Sequence, residues 1–254
     1  MMILLDAGNS RLKWACLVDG TLQVGAPVPR IGTDLDDVYA LSLVWATLPR
    51  PERVLVSSVL GTQFACALST YCMETWALTA EFIVPRREAY GMVNAYAEPA
   101  RLGVDRWLAL IGARGDSAIG SLCVVDCGTA ITIDAVRIDG LHLGGLIMPG
   151  LGLMRRMLIA STQGIRVEAG DMVETLLPWA SDTREALRAG TLCAAVAGID
   201  RAVAVLRASL GGEMRCYITG GDAGCLLPLL QVRYSHRPEL VLEGLALSAE
   251  REQG

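Results

Sequence analysis

Apolar runs broken by Asp, Gly and Pro divide the chain into short strands and a few helices. Met2-Ile3-Leu4-Leu5 runs into Asp6-Ala7-Gly8-Asn9-Ser10, and strands are predicted over 2–6, 12–18 and 21–24. A helix over 34–48 follows, then a buried strand, Arg53 to Val59, bounded by Pro51 and Gly61. A helix over 62–73 and a short strand, 81–84, stopped by Pro85, complete a βαβ unit. Residues 86–103 read as a loop and 104–114 as a helix. Strands at 121–126, 130–136 and 141–147 come next, with a helix over 151–159 after Pro149-Gly150. Residues 161–180 read as a loop with little regular structure. A long helix over 183–210 starts at Asp182, with Glu185 three positions on, a pairing like a capping box. A strand over 215–219 ends in Gly220-Gly221-Asp222, and a last helix begins near Glu243.

Within this pattern one unit occurs twice. Asp6-Ala-Gly8 follows one apolar run and Asp126-Cys-Gly128 follows another, 120 residues later. In each copy an Asp-Gly turn comes 13 residues after the loop aspartate, at Asp19-Gly20 and Asp139-Gly140. A lone Asp-x-Gly after a strand is a common turn, because Asp ends strands and Gly turns them. Two bland turns have no reason to agree in spacing, so the repeat points to duplication. Two α/β domains with mixed sheets flanked by helices are expected, at 1–116 and 117–254, divided where Gly115-Asp116-Ser117 breaks a helix.

The bulk numbers narrow the classes. Apolar residues make up 52% and charged residues 19% of 254, enough for a sizeable core in each half. Net charge is −5 with no long basic run, which disfavours a nucleic-acid partner. Eight scattered cysteines without a C-x-x-C pair, and an N-terminal apolar run cut short by Asp6, suggest reduced thiols in a cytoplasmic protein. Two distant histidines give no zinc spacing. No apolar run reaches the ~18 residues of a membrane span, so no membrane partner is expected.

The chemistry gathers at the duplicated loops. Asp6 and Asp126 fall at the C-terminal ends of central strands, where open α/β sheets bind ligands. Two such hairpins facing each other across a cleft would offer carboxylates for a metal ion and bare backbone N–H groups for phosphate, with Gly8 and Gly128 letting phosphate approach. Asn9, Ser10, Thr129 and Thr132 add neutral donors. Lys13 is the one lysine beside 21 arginines, a compact charge suited to phosphate oxygens, although an arginine-rich composition also accounts for its rarity. Where a nucleoside triphosphate reacts, magnesium bridges the phosphates, and Asp6 is the candidate ligand. Thr219-Gly220-Gly221-Asp222 resembles a step that leaves a flat gap for adenine or ribose, or is simply a turn.

Asp-x-Gly hairpins in both halves with a late Gly-Gly resemble the actin, hexokinase and seventy-kilodalton chaperone superfamily, whose fold is ribonuclease H-like. More narrowly, the chain resembles the type III pantothenate kinases. The likeness rests on Asp6-Ala-Gly-Asn-Ser-Arg-Leu-Lys13, Asn94-Ala-Tyr96, Leu102-Gly-Val-Asp-Arg-Trp107, Asp126-Cys-Gly-Thr-Ala-Ile-Thr132, Gly144 to Gly150, Asp182-Thr183 and Gly220-Gly-Asp222. Ser10 stands where the family often has threonine. The resemblance implies ATP in the cleft and transfer of its γ-phosphoryl group to the primary hydroxyl of pantothenate, the first step towards coenzyme A. It implies that Asp6, Ala7, Gly8, Asn9, Ser10, Arg11, Leu12 and Lys13 line the phosphate site, with Thr129, Gly220 and Gly221 also at ATP. It makes Asp105 the general base, with Tyr96, Gly103, Val104, Asp105, Arg106 and Thr183 at pantothenate. It makes Asp126 the ligand of a monovalent cation, potassium or ammonium. From residue chemistry alone a carboxylate placed like Asp105 is more often a helix-start partner of the dipole than a base, and Arg106 suits a carboxylate or phosphate oxygen. The long helix is either a core helix or, by the resemblance, a homodimer interface that brings Thr183 from the partner. Alternatives are a regulatory accessory protein on the same fold, and another kinase or phosphatase of the superfamily, which would leave Leu102 to Trp107 without a purpose.

Overall fold

The computed structural model describes residues 1–115, 120–162, 179–211 and 213–251. The expected boundary at 116/117 and most of the expected loop over 161–180 lie outside the described residues. The chain forms two compact units, Met1–Ala118 with Glu239–Gly254, and Ile119–Pro238.

In the first unit, β1 (Met2–Ala7), β2 (Arg11–Val18), β3 (Thr21–Val24) and β4 (Val28–Pro29) lead into α1 (Asp34–Trp45). Then come β5 (Arg53–Ser58), α2 (Thr62–Trp76), β6 (Ala80–Phe82), β7 (Glu88–Ala89), β8 (Met92–Val93) and α3 (Val104–Gly115). The sheet order is β3-β2-β1-β5-β6, with β4 beside β2. β1 is antiparallel to β2 and parallel to β5. Alternate side chains of β1 serve two faces. Ile3, Leu5 and Ala7 join Val38, Leu41 and Trp45 of α1 and Phe64, Leu68 and Trp76 of α2 in one core, while Leu4, also fully buried, points to the other face. That double burial is why β1 is apolar at every position before Asp6 rather than alternating.

The second unit holds β9 (Ser121–Cys127), β10 (Ala130–Val136), β11 (His142–Pro149), α4 (Leu151–Ser161), α5 (Thr183–Leu210), β12 (Met214–Thr219), α6 (Ala223–Leu226) and β13 (Ser235–His236). Its sheet order, β11-β10-β9-β12-β13, repeats that of the first unit, antiparallel through β9 and parallel beyond it. The duplication therefore extends to topology. The hairpin turns differ: Asp19 and Gly20 both have positive φ (48° and 75°) in a two-residue loop. The second hairpin uses a five-residue loop closed by Arg137 N–H to Leu141 O and Gly140 N–H to Arg137 O.

The units part from the expected 117–254 at the C-terminus. α7 (Leu240–Arg251) packs with the first unit on α3. Two glycines set the distance. A Cβ at Gly244 would lie 2.0 Å from Leu108 O, and one at Gly112 would lie 2.4 Å from Leu240 O, so the backbones meet where side chains are missing. Arg53 Nη1 donates to Ala249 O, and Tyr90 Oη to Leu247 O, tying α7 to a strand end and to the β7–β8 hairpin.

α5 differs from expectation in two ways. Apolar residues all around it suggest burial on most sides, yet Leu187, Thr191, Leu192, Ala195, Ile199, Ala202 and Val203 form one buried stripe. Cys193, Ala194, Ala197 and Ala204 on the rest of the surface are exposed. The helix is also long and apolar enough to cross a membrane by length and composition, contrary to the expectation that no such stretch exists. Asp182 accepts from Glu185 N–H at 3.0 Å, as expected of an N-cap, but the Glu185 carboxylate pairs with Arg188 instead of reciprocating.

Candidate active site

In the first unit, β1 and β2 hold the Asp6–Lys13 loop in register, Asp6 opposite Lys13 and Ala7 opposite Leu12. Ala7 and Leu12 are fully buried in the core, so each offers a ligand only its backbone. Asn9, Ser10 and Arg11 are exposed at the tip. Gly8 N–H donates to Arg11 O at 3.1 Å and Gly128 N–H to Ala130 O at 3.0 Å. Both glycine amides thus close their own turns rather than standing bare. A side chain at Gly8 would already stand 3.2 Å from Arg11 O. Asp6 is half-buried and its Oδ1 accepts from Ser57 Oγ at 3.1 Å. Ser57 is fully buried, one strand over in register with Asp6. Sequence reasoning missed it, although the parallel pairing of β1 with β5 was the signal. Lys13 Nζ lies 4.0 Å from Glu239 Oε2, both side chains partly exposed.

The second constellation in this unit surrounds the start of α3. Trp107 N–H donates to Gly103 O, opening the helix there. Asp105 is half-buried in the first turn, and its Oδ1 accepts from Arg106 N–H at 2.8 Å. A Cβ at Gly103 would come within 2.6 Å of that same Oδ1, so the glycine gives the carboxylate its room. Val104 is buried and contributes backbone. Arg106 is buried at 8% exposure, with Nη1 donating to Tyr96 Oη at 3.1 Å and its guanidinium carbon 5.9 Å from the Tyr96 ring centre. A buried guanidinium fixed by a phenol beside a carboxylate can hold an anionic substrate while the carboxylate takes a proton.

In the second unit, Asp126 pairs in register with Thr132 on one side and Thr219 on the other. Gly220 follows with φ +94°. A Cβ there would meet Cys127 O at 2.4 Å and Asp126 Oδ1 at 2.5 Å, so a carboxylate oxygen and a carbonyl oxygen converge on a cradle only glycine leaves open. Oxygen donors of this kind suit a hard cation. Among the described residues no cluster of three or more His, Cys, Asp or Glu offers a site for a transition metal. Asp222 N–H donates to Cys127 O and fixes the Gly-Gly turn against this loop. Burial, with Asp126 and Asp222 close by, pushes the Cys127 thiol far up, so it stays protonated and inert. Thr129 is half-buried, and its carbonyl accepts from Gly150 N–H. Gly150, the end of the Gly144–Gly150 segment singled out in the sequence, leaves no room for a side chain, whose Cβ would stand 2.1 Å from Gly128 O. Gly221 is exposed, as is Thr183 at the first position of α5.

A family model described as type III pantothenate kinase matches residues 2–205. A type III pantothenate kinase of Nitrosococcus oceani is 43% identical over 254 residues, spanning 98% of this chain and 94% of its own. One from Paracidovorax citrulli is 37% identical, with 97% of each chain covered. Among solved structures, a conserved Baf family protein from Campylobacter jejuni superposes with a TM-score of 0.58 at 18% identity, over 99% of this chain and 98% of that one. An inorganic polyphosphate/ATP-glucomannokinase from Arthrobacter sp. strain KM gives 0.50 at 16%, over 99% and 98%. At such identities the structures speak for the fold, which is that of the actin and hexokinase-like kinases.

Proposed function

From its membership of the type III pantothenate kinase family, which makes this chain an ATP-dependent pantothenate kinase of coenzyme A biosynthesis, we propose how its residues divide the work. Asp105 takes the proton from the primary hydroxyl of pantothenate as that oxygen attacks the γ-phosphorus. The observation that carries this is the half-buried Asp105 carboxylate beside the buried Arg106 and the half-buried Tyr96 it bonds, with Gly103 leaving it space. Arg106 and Tyr96 hold the anionic end of the substrate or a phosphate oxygen, and Gly103 and Val104 offer backbone.

The Asp6–Lys13 loop receives the phosphates, Lys13 as a point charge and Asn9 and Ser10 as neutral donors. Asp6 is the carboxylate for magnesium, which binds nucleotide sites through one or two carboxylates plus phosphate oxygens. In the second unit Thr129, Gly220 and Gly221 contact ATP. Asp126 and Cys127 O would hold potassium or ammonium. ADP release from purified protein in sodium buffer tests this reading. Turnover is expected to require pantothenate and to rise on adding potassium or ammonium. A folded protein without pantothenate-dependent turnover would be a regulatory relative on the same fold.

We also propose a homodimer built on α5. Its outward face lines an apolar groove of about 1030 Å³ with Trp179, Gly190, Cys193 and Ala197, and Trp179 is 91% exposed. Leu146 and Ile147 on the edge strand β11, and Met157 on α4, are also exposed. These exposed apolar side chains, gathered on one unit, support an interface there. A second copy covers it and brings its Thr183 to pantothenate. Light scattering should give twice the chain mass. Ala197→Glu, which puts an unpaired charge in the interface, should give a folded monomer with pantothenate KM raised about tenfold or more. A wild-type monomer, or a chain that needs detergent to stay dispersed, would refute the dimer.

A further inference from the structure

The loop that carries Tyr96 is held by a residue outside the contacts proposed for the substrates. The sequence reads 86–103 as a plain loop, but β7 and β8 form a hairpin whose turn residues, Tyr90 and Gly91, both have positive φ (55° and 68°). Its tip is anchored by Tyr90 Oη on Leu247 O. Its base is anchored by Arg87. Arg87 Nη1 donates to Asn94 O and to Tyr96 O, each at 2.9 Å, and Nη2 donates to Ala97 O at 2.8 Å. The Arg87 carbonyl in turn accepts from Asn94 N–H at 2.8 Å.

One planar guanidinium therefore gathers three carbonyls spread over four residues, with Tyr96 in the middle. A flexible ammonium has no fork to match that arrangement. From inside, the buried Asn94 completes the brace: its Oδ1 accepts from Tyr96 N–H at 3.0 Å, and its Nδ2 reaches Arg86 O and Pro99 O. Tyr96 Oη then meets Arg106, so the brace ends at the guanidinium beside Asp105. Arg87 itself is exposed, and its place in the chain, nine residues before Tyr96, gives no hint of this task.

We infer that Arg87 is a positioning residue for pantothenate recognition, fixing the Asn94–Ala97 segment so that Tyr96 and Arg106 stand ready for the substrate. The inference rests on the reading of Tyr96 as a pantothenate contact. Without Arg87 the segment samples other conformations, and binding must select the competent one, which raises the apparent dissociation constant by the fraction lost.

The test is steady-state kinetics on Arg87→Ala, Tyr96→Ala and the double variant. Arg87→Ala should raise the pantothenate KM about tenfold, as expected for losing charge-assisted hydrogen bonds at an exposed site. The KM for ATP should stay within about twofold, and the melting midpoint should fall by no more than about 2 °C, as for a surface substitution. Tyr96→Ala should raise the pantothenate KM by at least as much, and adding Arg87→Ala to it should change little more, because both act through one side chain. Should the alanine variant not fold, Arg87→Gln takes its place with the same expected outcomes. If Tyr96→Ala raises the KM while Arg87→Ala does not, or if the two effects add in full, the inference falls and the Tyr96 reading stands. If Tyr96→Ala leaves the KM unchanged, that reading falls and takes the inference with it.

Discussion

Asp105→Asn is expected to lower kcat by about 10²–10⁴-fold with the fold intact, the usual range for losing a general base. The substitution is chosen because it separates the two things the carboxylate does. Asp105 Oδ1 accepts from Arg106 N–H, and an asparagine carbonyl oxygen accepts the same bond. The start of α3, the room left by Gly103 and the position of Arg106 are therefore kept. What disappears is the basicity: an amide cannot take a hydroxyl proton at neutral pH. The lost charge near the helix N-terminus costs about 0.3–1 kcal/mol, too little to unfold the chain. Because the interaction lost is one with the moving proton, KM for both substrates should change far less than kcat. Single-turnover kinetics with circular dichroism decide the matter. Full turnover would leave Asp105 as a helix-start carboxylate and send the search for a base elsewhere.

What is legible in the chain follows from where its information is local. The doubled Asp-x-Gly hairpins are legible because the apolar strand, the terminal aspartate and the turn all lie within about twenty residues of sequence, the span of a hairpin and its flanking strand. The structure returns them as β1–β2–β3 and β9–β10–β11 in matching sheet order. The Leu102–Trp107 segment reads locally only as a helix start, and its place in a site comes from the family resemblance. Supports that depend on distant pairing are hidden. Ser57 reaches Asp6 only through the β1–β5 register. α7 returns to the first unit because Gly112 and Gly244, far apart along the chain, let two helix backbones touch, and nothing nearby in sequence announces that match. α5 misleads because its apolar residues lie all around it. Periodicity then carries no directional signal, and only packing shows that one stripe is buried. The β7–β8 hairpin escapes notice because two-residue strands are too short for any alternation to register.

Gly220→Ala is expected to be strongly damaging to the second unit, for two reasons that can be measured apart. Its φ of +94° lies outside the regions open to L-residues, and its Cβ would press on Cys127 O and Asp126 Oδ1 at 2.4 and 2.5 Å. The two neighbours yield unequally. Cys127 O is fixed by its strand and by Asp222 N–H, so relief comes from turning the Asp126 carboxylate away. Backbone strain of this kind costs about 1–3 kcal/mol, which corresponds to roughly 2–12 °C in melting midpoint for a chain of this size. A cation held by Asp126 would lose its ligand as well, so activation by potassium should need at least about tenfold more salt. Gly224→Ala is the control. It lies four residues on, in α6, with no atom within 4 Å of its Cβ position, and alanine there should be neutral or stabilising by up to about 1 kcal/mol. Titrating potassium into both variants under the pantothenate assay, alongside melting curves, separates strain from cation binding. A Gly220→Ala protein that melts early yet keeps the wild-type potassium response would mean that the cation sits elsewhere, and that Asp126 serves the loop rather than the ion.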